Sequence, residues 1–247
     1  MVGGPDLTVL GKAGNEIPQI YPQPGWVEHS PEAIWGATRT SARQAMDAAG
    51  VKPADCVGVG ITNQRETTIL WDRKTGLPRH NAIVWQDRRT APFCETLKAQ
   101  GLEPLFRERT GLVLDPYFSG TKVRWLLDNV PGLRADAEAG AVCFGTVDSY
   151  LIFQLSGGRV HATDPSNASR TLMMRLDALD WDPDLYGALG VPATVLPRIL
   201  PSAGEFARTA GLDFLPDGVP VAGVAGDQQS ALFGQTCFDA GQSKCTY

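Results

Sequence analysis

The 247-residue sequence contains no apolar run approaching the roughly 18 residues that would cross a bilayer as a helix. Its first residues, MVGGPDLTVLGKAGNE, lack a basic stretch followed by a long apolar core. No signal peptide is read there, and a cytoplasmic setting is expected. Positive charge is not in excess: 22 Lys and Arg against 27 Asp and Glu leave a net charge of −5. Nucleic acid and anionic membranes both favour a basic face, so neither is expected as the main partner. Histidine is scarce, with only His29, His80 and His161, and no HExxH occurs. The five cysteines, Cys56, Cys94, Cys143, Cys237 and Cys245, are odd in number, widely spaced and without a CxxC pair. That set suits neither a disulfide framework nor a zinc site and reads as reduced thiols used as small apolar residues. A catalytic transition metal is not expected. Internal repeats and low-complexity segments are also missing.

What remains is an ordinary globular composition, 43% hydrophobic and 20% charged, long enough for one large domain or two small ones. Strand fragments are predicted near 7–10. Ser30-Pro31-Glu32 is a helix-start signal, since serine caps, proline suits the first turn and the acid favours the dipole; the helix should run to about Gly50. Strands at 57–61, 67–71 and 82–85, with a turn at 72–76, suggest an antiparallel section. A mostly helical stretch follows at 88–138, then a strand at 141–144 and a helix at 146–155. Residues 163–173 read as loop and then strand. Short helices are expected at 182–189 and 192–196, and a final strand at 219–225 leads to a helix at 227–235. Mixed strands with later β-α alternation indicate an α/β domain.

Four segments could carry chemistry. In GITNQRETTILWD (60–72), polar residues stand between two strands. They read either as a solvated loop with an Arg-Glu pair or as a polyol site, in which Arg65 donates to adjacent hydroxyls and Glu66 accepts from them. In AIVWQDRRT (82–90), Trp85 ends a strand and suits either the core or the C–H side of a polyol. Asp87 to Arg89 could simply open a helix. In GLVLDPYFSGTKVRWLLD (111–128), a rigid turn precedes a helix capped near Ser119 or Thr121, and Tyr117 could bond a ligand or merely pack. In VPVAGVAGDQQSALFGQ (219–235), an acid stands where strand passes to helix. Asp227 is either a helix cap or a general base at a strand tip, and Gly226 would leave room for a substrate to come close.

Together with FGTVDSYLI and TDPSNASRTLM, these segments resemble, in order and over most of the chain, the FGGY family of carbohydrate kinases. NQRETT, WQDRRT and LDPYFSGTK resemble its glycerol kinases rather than its xylulose or gluconate members. The resemblance implies a ribonuclease-H-like, actin-like α/β domain with a mixed sheet flanked by helices. It further implies ATP and Mg2+ in an interdomain cleft, and glycerol held mainly by the first half. By position, Arg65 and Glu66 resemble glycerol-hydroxyl ligands, Trp85 the pocket wall, and Tyr117 a further hydroxyl partner. Asp227 resembles the catalytic base and Gln228 a neighbouring substrate contact. Asp227 alone is a candidate to meet the metal, through water; no nucleotide-binding residue is assigned. Homo-oligomer formation stays open, as do a kinase acting on another small polyol and a polyol-binding piece without catalysis.

The sequence also departs from the family. No DQGTTSSR-like phosphate loop precedes Leu7, and SKCTY stops at Tyr247 before the Gly-Thr-Gly that opens the second domain. The expected arrangement is a substrate-binding domain over 1–235, lacking the family's first strand, with a truncated start of the nucleotide-binding domain over 236–247. ATP would then have few holds, so the chain by itself is expected not to phosphorylate glycerol at a useful rate. An unpaired strand edge would favour aggregation.

Overall fold

The structure, a computed structural model, describes residues 1–246; Tyr247, in the segment 236–247, lies outside the described residues. A short pair, β1 (Val2–Gly3) and β2 (Val9–Gly11), precedes β3 (Glu28–His29) and the long helix α1 (Pro31–Ala49). Strands β4 (Val59–Asn63), β5 (Ile69–Asp72) and β6 (Ala82–Ile83) follow. Helices α2 (Ala91–Ala99), α3 (Glu103–Thr110), α4 (Ser119–Asn129) and α5 (Leu133–Glu138) lead to β7 (Val142–Gly145) and α6 (Val147–Leu155). Then come β8 (Ala162–Thr163), α7 (Pro165–Ala168), β9 (Met174–Arg175), β10 (Asp180–Trp181), α8 (Pro183–Ala188) and β11 (Arg198–Ile199). The described part ends with β12 (Ala203–Arg208), β13 (Pro220–Gly226), α9 (Asp227–Gly234) and a segment without helix or strand.

Local signals explain several of these elements. Ser30 has extended backbone and accepts the Ala33 N–H, Pro31 opens α1, and Gly50 closes it at φ +64°. Strand β5 pairs antiparallel with β7. The antiparallel section expected of β4, β5 and β6 does not form, since β4 pairs parallel with β13, β6 pairs with β3, and only the bridge of Thr68 to Ile83 links β5 to β6. Alternate side chains of β5 serve two cores. Ile69 and Trp71 pack with Tyr150, Phe153, Val221 and Val224, while Leu70 joins Phe144, Phe106, Val123 and Leu126. Both faces are therefore apolar, and the strand reads as a continuous hydrophobic run.

Further expectations fail locally, among them the helix at 192–196, which is only a 3-10 turn over Ala193–Val195. Residues 163–173, read as loop then strand, open instead with α7, because the Asp164 carboxylate accepts the N–H groups of Ser166 and Asn167. The helix α4 is not capped by Ser119 or Thr121. Ser119 is its first residue, and its hydroxyl donates to the Glu66 carbonyl at 2.9 Å; Thr121 meets Thr90 at 2.8 Å. Tertiary partners claimed both hydroxyls. The strand β12 was not expected, since Ala203, Gly204 and Glu205 are exposed and weak strand formers; antiparallel pairing with β13 makes it one. The segment Asp87 to Arg89 does not open a helix, since α2 begins at Ala91 behind Thr90. Arg89 is buried with Glu28 and Asp87 at 2.7 and 2.8 Å, and its guanidinium lies 3.8 Å from the Trp26 ring centre and 4.6 Å from that of Trp125.

A three-stranded mixed sheet, in the order β12-β13-β4, positions the residues of interest. Below its upper end lies a buried polar network. Asn63, the last residue of β4, exchanges amide hydrogen bonds with Asn167 at 2.9 and 3.2 Å and donates to Asp148 at 3.4 Å. Asp164 accepts from Asn167 Nδ2 at 2.8 Å and from Ser202 at 2.7 Å, and Ser166 Oγ accepts the Gly226 N–H at 2.8 Å. The turn of α7 is thereby tied to the ends of both β4 and β13.

Burial pushes the Asp148 carboxyl up to about 6, against hydrogen bonds from Thr146 and Thr163 that lower it. Burial pushes the His161 imidazole down to about 4, against its hydrogen bond to the Phe144 carbonyl. The two act oppositely on stability. Between about pH 4 and 6, native Asp148 keeps a proton that the unfolded chain has released, so stability falls as pH rises; native His161 lacks a proton that the unfolded chain binds, so stability rises. Each contributes at most about 1.4 kcal/mol per pH unit. An Asp148→Asn variant leaves the histidine unopposed, and its stability should climb more steeply from pH 4 to 6 than that of the parent. Urea unfolding at a series of pH values checks this; equal slopes would mean that Asp148 is ionised in the native state.

Candidate functional site

Strands β4 and β13 run parallel, and their register places Ala225 opposite Thr62 and Gly226 opposite Asn63. The two strands therefore end level. The chain leaves β4 into Gln64, Arg65 and Glu66, and leaves β13 into Asp227 and α9. Residues 162 positions apart meet here: Arg65 Nε donates to Asp227 Oδ1 at 3.2 Å, and Arg65 Nη1 donates to Gln229 Oε1 at 3.4 Å. The Arg65 side chain is 11% exposed and that of Asp227 51%, so the acid faces open space while the cation lies against the sheet end. A Cβ on Gly226 would stand 2.4 Å from Arg65 Cδ. The expectation that Gly226 clears a path for substrate is thereby corrected: the space is filled by the arginine stem.

Asp227 is not the N-cap of α9. Gly226 holds that position, and Asp227 is the first helical residue, its Oδ1 also accepting the Gln228 N–H at 2.8 Å. An acid in the first turn suits the helix dipole. Among the described residues no donor reaches its Oδ2. Gln228 Oε1 accepts from Lys244 Nζ at 2.7 Å. Of the two glutamines, Gln229 is the one that meets the arginine.

Glu66 occupies the centre of a three-residue γ-turn closed by the Thr67 N–H to the Arg65 carbonyl at 2.6 Å. Its φ of +59° is a left-handed value that costs a residue with Cβ on the order of 1 kcal/mol. Two hydroxyls hold its carbonyl, Thr68 at 3.0 Å and Ser119 at 2.9 Å. The Glu66 side chain is 2% exposed, and its Oε1 accepts from Arg170 Nε at 2.7 Å. Burial raises the Glu66 carboxyl above the usual carboxylate range, while Arg170, Arg65 and Lys122 pull it back.

Tyr117 and Trp85 lie beside this turn. Their rings meet edge to face with centroids 5.7 Å apart, and the Arg170 guanidinium lies 5.7 Å from the Tyr117 centroid. Trp85 is 37% exposed, outside the two-residue strand β6, so it is not a core residue. The loop carrying Tyr117 is fixed from below by Lys122, which is fully buried. Its Nζ donates to the carbonyls of Pro116, of Tyr117 at 2.7 Å and of Phe118 at 3.4 Å. Burial lowers the Lys122 ammonium to about 7, against the pull of Asp87 and Glu66. The structure thus joins Arg65, Glu66, Trp85, Tyr117 and Asp227 through a chain of direct contacts, with Arg170 as the link between the Glu66 turn and the aromatic pair. Among the described residues no cluster of three His, Cys, Asp or Glu side chains could hold a metal ion.

The sequence profile of the FGGY family of carbohydrate kinases, N-terminal domain, matches residues 5–234. The chain belongs to the FGGY family. Among relatives of this FGGY chain, the glycerol kinase of Alkalilimnicola ehrlichii is 60% identical over 241 residues, covering 97% of this chain and 48% of that protein. Glycerol kinase 2 of Thermotoga maritima is 55% identical over 239 residues, covering 97% and 48%. The chain thus spans about half the length of the curated relatives it matches. Its fold superposes on a Plasmodium falciparum glycerol kinase solved with ADP, with a TM-score of 0.86 and 34% identity over 94% of this chain and 47% of that one. A xylulose kinase from Rhodospirillum rubrum, at TM-score 0.78 and 24% identity, over 88% of this chain and 44% of that one, shares the fold.

Three side chains of this FGGY chain that the structure brings to the site were not expected there: Arg170, Lys122 and Ser119, the last expected only as a helix cap. Arg170 lay in a stretch read as loop then strand. The Asp164-Pro165 pair, a helix start of the same kind as Ser30-Pro31, was the available signal. Lys122 lay in an ordinary helical pattern, and nothing in the sequence marks its burial.

Gly226→Ala should displace the Arg65 stem and cost about 1–3 kcal/mol, the range for a forced overpacking. Gly234→Ala, with nothing within 4 Å of its added Cβ, serves as the control and should be neutral or slightly stabilising. Denaturant unfolding of both variants checks this. Equal stabilities would show that Arg65 does not occupy the space above Gly226.

Proposed function

We propose that this chain forms the glycerol-binding side of an ATP-dependent glycerol kinase that yields sn-glycerol 3-phosphate. The observation that carries the reading is the Arg65–Asp227 contact across the level ends of two parallel strands, with Glu66, Tyr117 and Trp85 alongside. The identities of 54–60% to proteins named glycerol kinase support glycerol over larger polyols. Residues 1–235 act as the substrate-binding domain, and 236–247 open the nucleotide-binding one.

Glycerol lies with its carbon face on Trp85. Its hydroxyls accept from Arg65 and donate to the free oxygen of Glu66, and the Tyr117 hydroxyl adds a further bond. Gln228 Nε2 adds a substrate contact while Lys244 holds its Oε1. The free Oδ2 of Asp227 accepts the proton of a terminal hydroxyl as that oxygen bonds to the γ-phosphorus; the bond from that phosphorus to the bridging oxygen breaks, and ADP leaves with the electron pair. Magnesium would neutralise the phosphate charge during the transfer. Of the residues at this site, Asp227 is the one that would meet the ion, through water. The likeness to a kinase solved with ADP supports ATP as the donor.

Two measurements test the reading. Titration calorimetry without nucleotide should show the chain binding glycerol, and Glu66→Gln should weaken that binding about tenfold or more, the cost of losing a charge-assisted hydrogen bond. In the protein completed by the second half of a matched glycerol kinase, Asp227→Asn should lower kcat by about 10²–10⁴ while glycerol affinity changes only a few-fold. Absence of glycerol binding by the chain defeats the assignment of substrate; full turnover by the asparagine variant defeats the assignment of the base.

A further inference from the structure

We propose that Arg170 is a positioning and specificity residue of this site, acting on the polyol through Glu66. The inference rests on the reading of Glu66 as a hydroxyl acceptor. Three independent observations converge on it. First, Arg170 engages Oε1 of Glu66 and leaves Oε2 without a donor among the described residues. One oxygen fixes the carboxylate plane, and the other is free to accept from a ligand. Second, the guanidinium lies 4.8 Å from the Phe118 ring centre and 5.7 Å from that of Tyr117, and its side chain is only 24% exposed. A planar cation that stacks on aromatic faces while donating edge-on from Nε meets both demands at once; an ammonium does not. Third, Arg170 is itself held in place. Its N–H donates to the Asn167 carbonyl at 3.0 Å, and Asn167 exchanges amide hydrogen bonds with Asn63 at the end of β4. The residue that orients Glu66 is thereby tied to the strand from which Glu66 emerges.

The chemical consequence concerns ionisation. A buried glutamate in a left-handed turn tends to keep its proton, and a neutral carboxyl is a poor acceptor for hydroxyls. The charges facing Glu66 are Arg170 from beyond α7, Arg65 from its own turn and Lys122 from α4, with the Tyr117 hydroxyl nearby. Lys122 spends its three donors on carbonyls, and Nε and Nη1 of Arg65 donate to Asp227 and Gln229. Among the described residues Arg170 alone bonds the Glu66 carboxylate. Without it the carboxyl should titrate higher, and binding of a polyol should become dependent on pH.

The test is a double-mutant cycle read by glycerol calorimetry between pH 5 and 8. Arg170→Met should weaken binding at pH 7 about tenfold or more and make affinity rise with pH. Arg170→Lys, which keeps the charge and is less prone to unfold, should lie between it and the parent. In a Glu66→Gln background, Arg170→Met should change affinity less than about twofold, because the partner through which it acts is gone. A parent-like affinity and pH profile for Arg170→Met, or an equal loss in both backgrounds, overturns the proposal. Carbon-13 NMR titration of the Glu66 carboxyl in the ligand-free chain gives a reading independent of glycerol: the midpoint should move up in Arg170→Met and partly recover in Arg170→Lys, and an unmoved midpoint sinks the inference even if no glycerol binds. Loss of glycerol binding by the parent with a shifted Glu66 midpoint would instead defeat the substrate assignment alone.

Discussion

The parallel alignment of β4 with β13 is the constraint on which the rest depends. Parallel strands put their C-terminal ends at the same side of a sheet, and level register makes their following residues neighbours. Here the register sets Gly226 against Asn63, so Arg65 and Asp227 reach each other from turns that are 162 positions apart. A shift of one residue would send alternate side chains of β13 to the opposite face, and Val221 and Val224 would leave the core they share with Trp71. Hydrophobic burial deep in the sheet therefore fixes the position of a charged contact at its tip.

Around that tip, polar groups are restrained rather than solvated. Glu66 is held in a conformation disfavoured for a residue with Cβ, and two hydroxyls, a salt bridge and a tight turn are needed to keep it there. Lys122 gives up water for three carbonyls, and Asp148 and Asn167 form a network with few exposed atoms. Such arrangements are unfavourable group by group and persist because surrounding packing over-determines them. They gain rigidity: the Tyr117 loop, the Glu66 turn and the turn of α7 cannot drift independently. For the phosphoryl transfer proposed above, in which positioning and charge carry most of the catalysis, rigidity of this kind would be useful.

How legible this was in the sequence varied with the range of the interaction. Strong local signals worked: Ser30-Pro31-Glu32 marked α1, the β-branched and aromatic run at 67–71 marked β5, and the apolar run before Asp227 marked β13. Signals that compete with tertiary partners misled. Ser119 looked like a cap but donates to Glu66, and Gly226 looked like substrate space but accommodates Arg65. The strand β12 was hidden because its residues are mostly exposed and its only reason to extend is the neighbour β13.

By itself the sequence determined the class of fold, the family, and the residue types at the strand tips, because apolar periodicity and ordered motifs are local properties of the chain. It did not determine that Arg65 faces Asp227, that Gln229 rather than Gln228 meets the arginine, or that Arg170 and Lys122 support the Glu66 turn and the Tyr117 loop. Those facts are distances between segments far apart in the chain. They are set only when strand register and two packed cores bring the segments to one end of the sheet.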